Sequence, residues 1–517
     1  MAVFPLLLAQ LLAQPLPPTS GRLPAVEGLD RYPAATLNQV LAPCAAEVDP
    51  QQRLNDCAAR LTARLVADGY VNSRVIALVD PPPRGRLVVV EGRLVEVRVQ
   101  SRDPGLQRRL QRLVLPLQGQ VVHLPSLERQ LDQVERQPGV GAVATRLNRL
   151  GGDNTKVALL IEADPAPRPL VAELTLSNDG SDGTGQFRSV ALLAKEGWLL
   201  AGDELLVLGE LNSDREAELG YRQASLSYSL PLGDRLMATT GVAASRRAPV
   251  DDPIPQHDVS DSQQQLTGEL DLTLWDSLDG RLSVFAGLSA NRNQASRHGR
   301  RSLRWSADAP GSISSGYGRA GLALEAWPDG VDLVASVYGL QAIPGLSPNR
   351  ARRELAASGI RLTDARALAG DLRLGWSLAP GWDLELRAAA QLAFNPLTEP
   401  MGFSLGSDNG LLGLPGQVDS GDSGVLGSGE LRWRIWRQGR RQLQLVPFLG
   451  AGWIRTELPG RIRRSHVGAG GLLVRWLQGR HWVLELGWAS QFGRTPAGAV
   501  PNWLIDNGLY TRVSYRL

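Results

Sequence analysis

The chain has 517 residues, of which 43% are hydrophobic and 21% charged, with a formal net charge of +3. That length calls for two or three structural units, and the composition supplies enough apolar side chains to exclude a chain without a core. The basic residues, arginine everywhere except Lys156 and Lys195, are dispersed, which gives no footprint for nucleic acid, and no apolar run reaches the roughly 18 residues of a membrane helix.

The N-terminus, MAVFPLLLAQLLAQPLPP, reads as the apolar core of a secretory signal over residues 1–20. It departs from the usual pattern, because no Lys or Arg precedes Leu6 and an Ala-x-Ala site is missing. A first α+β domain is expected over residues 22–92. In it, QQRLNDCAARLTARLVAD places Leu54, Cys57, Ala58, Leu61 and Leu65 on one helical face. Gly69-Tyr70 closes that helix, and the strand-like VNSRVIAL and RLVVVEG follow. Cys44 and Cys57 are the only cysteines. They could close a disulfide in an oxidising compartment or stand as two buried thiols; their spacing fits no metal site, and no histidine lies nearby.

A second domain is expected over residues 93–166, with the strand LVEVRVQ, helices in DPGLQRRLQRLV and LPSLERQLDQVERQ, and strands in GAVATRLNRL and TKVALLIEAD. The order β-α-α-β-β therefore occurs twice. Past DPAPRP the helical period gives way to alternation. In WDLELRAAAQLAF, Trp382, Leu384, Leu386, Ala388, Ala390, Leu392 and Phe394 face one way, opposite Asp383, Glu385, Arg387 and Gln391. About sixteen antiparallel strands are expected over residues 168–517. Tight turns such as DSLDG, WPDG, LAPG, RQGR and LQGR alternate with longer segments near 247–263, 293–315, 342–367, 395–425 and 493–506. That alternation, and a C-terminus that ends inside a strand, favour a closed transmembrane barrel over a soluble sandwich. The polar set Asp371, Arg373, Asp383, Glu385, Arg387, Glu430, Arg432 and Arg434 then lines a wet lumen, and Trp327, Trp376, Trp382, Trp436 and Trp482 suit an interfacial belt.

Between the expected eleventh and twelfth strands lies GSDNGLLGLPGQVDSGDSG, Gly406 to Gly424. Its end, Gly421-Asp422-Ser423-Gly424, spells the sequence around a trypsin-like nucleophile. A hydrolase would need a His and an Asp placed to activate Ser423, and His123, His257, His298, His466 and His481 have no such surround. No carboxylate pair, metal cluster or phosphate loop stands out, so neither catalysis nor a cofactor is expected. Asp179-Gly180-Ser181-Asp182 reads as a turn.

GYVNSRV, RLVVVEGRLVEVRV, LERQLDQVERQPGV, LTLSNDGSDGTGQFRS and LSYSLPLG, in that order, resemble the outer-membrane transporters of two-partner secretion, the haemolysin secretion/activation family. The resemblance implies two polypeptide-transport-associated (POTRA) domains in the periplasm and a barrel in the bacterial outer membrane. It also implies that residues 395–425 fold into the barrel, with Leu411, Leu412, Gly413 and Leu414 at the tip. In the family an arginine at the tip faces an acidic residue on the wall. Here Leu412 stands for the arginine and Gly450, within Phe448-Leu449-Gly450-Ala451-Gly452, for the acid. Both charges are absent together, and Phe448, Gly450 and Gly452 become the wall expected to face the tip. Relatives often carry an N-terminal plug helix. The proline-rich PLPPTSGRLP cannot form one, so residues 395–425 alone are expected to block the lumen. The partners implied are an unfolded secreted passenger protein and outer-membrane lipid, with the transporter a monomer. A barrel-assembly insertase of the same superfamily is the alternative, and a passive porin a more remote one.

Overall fold

A computed structural model of the chain describes residues 23–29, 31–47, 49–79, 85–137, 139–166, 170–181, 183–200, 202–233, 235–250, 259–297, 300–302, 312–458, 460–493 and 504–517. The signal segment expected over residues 1–20 lies outside them, as do His257, His298 and Asp182. The chain divides into two compact units, Met1–Pro167 and Arg168–Leu517.

The first unit holds two small domains with the same β-α-α-β-β order. In the first, Ala25–Glu27 runs parallel to Gly85–Val90, which pairs antiparallel with Arg74–Val79. The helix Pro50–Ala67 starts where the Asp49 carboxylate accepts from the Gln51 amide and Pro50 needs no donor partner. It buries Leu54, Cys57, Ala58, Leu61 and Leu65, the face the 3.6-residue period selects. Gly69 ends it at φ +94°, a left-handed conformation that glycine adopts without strain. Arg64 and Tyr32 both hydrogen-bond the Asp68 carboxylate. The Tyr32 contact, with Arg64 assisting, holds Asp68 below the usual carboxylate range. In the second domain, Arg93–Gln100 runs parallel to the central Lys156–Pro165, which pairs antiparallel with the edge strand Val140–Arg149. Helices Pro104–Val114 and Leu124–Glu135 cover this sheet. The two domains join at one helix end: the Leu124 amide donates to Gly69 O at 3.0 Å, His123 Nε2 lies 3.1 Å from Asp68 O, and its ring centroid lies 4.7 Å from that of Tyr70.

Cys44 and Cys57 are joined by a disulfide in the core of the first domain, at 3% and 0% exposure. With a separation of 13 residues, the bridge restricts the unfolded chain by about 3 kcal/mol. We predict that reduction lowers the opening free energy of the helix Pro50–Ala67 by about that amount, read by hydrogen exchange on the full-length protein. Unchanged protection would show that the bridge constrains nothing.

The second unit is a closed antiparallel barrel of sixteen strands, running from Leu170–Ser177 to Leu509–Arg516. Closure comes from the sixteenth strand pairing with the first, Arg512–Arg516 against Ser177–Glu173. Among the described residues the barrel leaves no strand edge open, the condition for spanning a bilayer. The rim at which the first strand starts is the near rim. At or close to it end the strands carrying Trp275, Trp376, Trp382, Trp433, Trp436, Trp476 and Trp482. Outward positions are apolar and exposed, Leu386, Leu392 and Phe394 among them, while inward Glu385 and Gln391 are buried.

The strict alternation of short and long connections breaks at the far rim. The thirteenth strand ends at Leu458 and the fourteenth begins at Arg461. These strands are 18 residues each, so the extra length there is paired strand. A second departure concerns residues 343–365, expected as loop. They carry a helix, Asn349–Ala357. Its Leu355, with Ile360 and Leu362, packs on inward Leu340, Ala342, Ala367 and Ala369 of the ninth (Val331–Ala342) and tenth (Arg366–Ala379) strands. Leu397 and Met401 join the same cluster. Residues 395–425 therefore do not occupy the far end of the lumen alone.

Candidate functional site

Residues 394–422 leave the eleventh strand (Trp382–Ala393), enter the lumen and return to the twelfth (Ser423–Gln438). A short antiparallel ribbon, Phe403–Leu405 with Asp419–Gly421, ties the descending and returning limbs together. The tip lies between the ribbon's ends. Leu411 and Leu414 are fully buried, in one cluster with Leu405, Leu426, Ile454, Val467 and Ala469. Leu412 packs on a neighbouring cluster that contains Phe448, Leu473, Ala489 and Tyr510. The wall beneath is made of the inward positions of the twelfth to sixteenth strands.

Gly413 has φ +81°, and a Cβ there would lie 2.6 Å from Ala489 Cβ and 3.2 Å from Ala469 Cβ. Both its conformation and its space exclude a side chain. Its carbonyl accepts from Gln491 Nε2 at 3.0 Å. A Cβ on Gly450 would lie 3.0 Å from Leu411 Cδ2 and 3.0 Å from Ser428 Cβ. The residue that meets Gly450 is therefore Leu411, one position before the Leu412 that the family pattern aligns with the arginine. Phe448 Cε2 lies 3.3 Å from the Cβ position of Gly413, and Gly452 sits under Leu405, on the descending limb rather than the tip. A dry contact between leucines and small wall residues stands where a charge pair was expected. Burying an unpaired ion there would be costly, so the joint loss of both charges leaves a satisfied site.

Polar anchors flank this contact. The Gly416 amide donates to Asp179 O at 2.7 Å, Ser407 Oγ donates to Asp179 Oδ2 at 2.8 Å, and Arg188 pairs with Asp408. Asp179 is fully buried and lies 3.4 Å from Arg512 of the sixteenth strand. Reading its segment as a turn missed that role. The only sequence signal was an acidic residue in the glycine-rich SNDG stretch that resembles the family's first hairpin. On the returning limb Arg463 donates to Asp419 Oδ1 at 2.8 Å, and Arg247 donates to Gln417 Oε1 at 2.9 Å.

The Gly-Asp-Ser-Gly segment fixes the loop's foot. Asp422 Oδ1 accepts from the Leu397 amide at 2.8 Å and Oδ2 from the Glu457 amide at 2.6 Å. Ser423 Oγ accepts from the Ala393 amide at 3.0 Å. We predict that Asp422→Ala, which strands one buried and one half-buried amide at up to about 1–3 kcal/mol each, makes the loop cleavable by added protease in the folded barrel. Ser423→Ala, which loses one bond, has the smaller effect. Equal cleavage in wild type and Asp422→Ala would show that the carboxylate does not hold the foot.

Toward the near rim the inward side chains form a ladder of ion pairs. Arg373, Arg387 and Arg432 converge on Glu385. Arg432 reaches Glu430 at 3.4 Å, Glu430 reaches Arg475 at 3.3 Å, and Arg475 reaches Glu485 at 2.6 Å. Arg512 lies 3.9 Å from Glu485 and closes the ladder on Asp179. Asp383 pairs with Arg434 at 3.9 Å, and Asp371 accepts from Tyr338 Oη at 3.0 Å. All eight polar residues expected in the lumen thus face it, from the tenth to the twelfth strands. Mutually paired charges offer a passing chain neither a strong net field nor an apolar surface to adhere to.

The family model for haemolysin secretion/activation protein ShlB/FhaC/HecB matches residues 156–471. Among solved structures, the chain is similar to CdiB from Escherichia coli, at 17% identity and a TM-score of 0.61, covering 98% of this chain and 93% of that one. It is also similar to CdiB from Acinetobacter baumannii, at 17% identity and a TM-score of 0.55, covering 98% and 91%. Identities this low speak to the fold alone. No curated protein matches the sequence. The family model spans more than half of the chain, from the last strand of the second small domain to the fourteenth barrel strand, and the chain belongs to the haemolysin secretion/activation family of two-partner secretion translocators.

Proposed function

We propose that this chain sits as a monomer in the lipid of the bacterial outer membrane, captures an unfolded passenger protein in the periplasm through two POTRA domains, residues 22–92 and 93–166, and passes it through the barrel of residues 168–517. The observation that carries this reading is the re-entrant loop. It fills a charged lumen, yet it is held only by hydrogen bonds, ion pairs and apolar contacts of separate small clusters, so it is a stopper that can yield. The capture step is supported by two edge strands. Arg74–Val79 and Val140–Arg149 each pair on one side only among the described residues. Ile76, Val79 and Leu147 on them are exposed. An extended chain can add to such an edge through main-chain hydrogen bonds. Directionality comes from folding of the passenger outside, which removes unfolded chain from the equilibrium. No catalytic step is part of this role.

The test looks beside this gene for one that encodes a large repetitive secreted protein and uses that protein as the passenger. Deleting the transporter gene should abolish its appearance in the medium. A photo-crosslinker at Ile76 or Leu147 should trap it during export. Export that persists without the transporter, or a passenger found folded in the outer membrane instead of the medium, would sink the reading, and the second result would favour the insertase.

A further inference from the structure

The outward face of the thirteenth and fourteenth strands, Arg441–Leu458 and Arg461–Gln478, changes character at one level. From Leu443 to Trp453 its outward positions include Leu445 and Leu449 and carry no charge. This span matches the roughly 9–11 residues that a tilted strand needs to cross the hydrocarbon. At its far end Trp453 pairs across the strands with His466, and Phe492 covers Gly468 beside them. The next outward residue is Arg455, whose cross-strand partner is Arg464. Two like charges directly opposite on one face repel. Glu457 satisfies only one of them, reaching Arg455 Nη2 at 2.7 Å. Arg464 is exposed and makes no ion pair among the described residues.

We propose that Arg455 and Arg464, above the aromatic shelf of Trp453 and Phe492, form a binding site for the phosphate groups of the glycolipid that makes up the outer leaflet. The assignment rests on the outer-membrane residence proposed above. An anion set between the two guanidiniums removes their repulsion and takes charge-assisted hydrogen bonds from both. The aromatic rings lie where acyl chains meet head groups, the level at which such side chains are favoured. The leaflet follows from topology. The thirteenth strand runs away from the near rim, so its Arg455 end lies at the far rim, whereas seven tryptophans line strand ends at the near rim. The site stands back to back with the loop's foot, because Arg455 O of the thirteenth strand accepts from the Asp422 amide, just before the twelfth, at 2.9 Å. The neighbouring Arg463 points inward to Asp419 and takes no part.

The experiment is native mass spectrometry of the full-length protein in detergent, with bisphosphorylated lipid A as probe and dephosphorylated lipid A and phosphatidylglycerol as controls. Wild type should retain lipid A and release the dephosphorylated form. The Arg455→Gln/Arg464→Gln variant should bind lipid A about tenfold more weakly, the loss expected for two charge-assisted contacts in a partly screened setting. Heat-modifiable migration on gels checks that the variant is folded. Arg464→Lys, which keeps the charge, should retain most of the binding. Equal binding by wild type and the folded double variant would overturn the proposal, as would equal retention of phosphatidylglycerol. Membrane fractionation separates the two failures. A barrel found outside the outer membrane defeats the proposed function and this site with it, whereas a barrel in the outer membrane without lipid preference defeats the site alone.

Discussion

Replacing residues 397–420 by a short linker is expected to raise the single-channel conductance of the reconstituted barrel by about fivefold or more, because a sixteen-stranded barrel without a plug leaves an aqueous channel. The linker is feasible because Gln391 and Gly424 are already register partners across the eleventh and twelfth strands. The opening is not complete. The helix Asn349–Ala357 stays on the inner face of the ninth and tenth strands through Leu355, and removing residues 397–420 takes away only its contacts with Leu397 and Met401. Deleting residues 345–362 alone is expected to change conductance little, since the leucine tip still fills the wall of the twelfth to sixteenth strands. Deleting both should exceed the sum of the two. Planar-bilayer recordings of the three variants decide it. A loop deletion that leaves conductance at the wild-type level would show that something other than residues 394–422 closes the pore.

The barrel could be read from the sequence because alternation is a local property. Each strand of the pattern in WDLELRAAAQLAF carries its own inward and outward faces, and a one-residue slip would turn Glu385 and Arg387 into the lipid. The helix Pro50–Ala67 was legible for the same reason, its five buried positions recurring at helical spacing within 18 residues. What escaped depends on partners far away in the chain. Asp179 anchors a loop more than 200 residues later, and nothing in SNDG states that. The helix Asn349–Ala357 is nine residues long, below the length at which propensity alone sustains a helix. Its Ala351 and Leu355 are buried against the wall, a pair spaced by four that is too small a signal in a loop. The residue that meets Gly450 differs by one from the family alignment for a related reason. Leu411 and Leu412 are adjacent yet pack into different clusters, and an alignment of motifs carries no side-chain directions.

That one-residue difference is testable as a charge-pair restoration. Leu411→Arg alone should unseat the tip, because it sets an unpaired cation among Leu405, Ile454 and Val467, where leaving one member of an ion pair unmatched costs about 3–5 kcal/mol. Gly450→Asp alone should also loosen the loop. A side chain there starts 3.0 Å from Leu411 Cδ2 and brings a carboxylate with no cation facing it. Together the two substitutions remove the clash and supply a charge-assisted contact, so the loop in Leu411→Arg/Gly450→Asp should regain much of its protection. The same cycle built with Leu412→Arg should come out additive, since Leu412 packs toward Phe448 and Tyr510 and its guanidinium would seek Glu485 instead. Protease accessibility of the loop in the folded barrel gives the coupling energy for each cycle. Coupling of about 1–3 kcal/mol in the Leu411 cycle and none in the Leu412 cycle is the expected pair of results. The reverse pattern would mean that the tip sits one residue out of the register described here, with Leu412 over Gly450 and Gly413 turned away from Ala489.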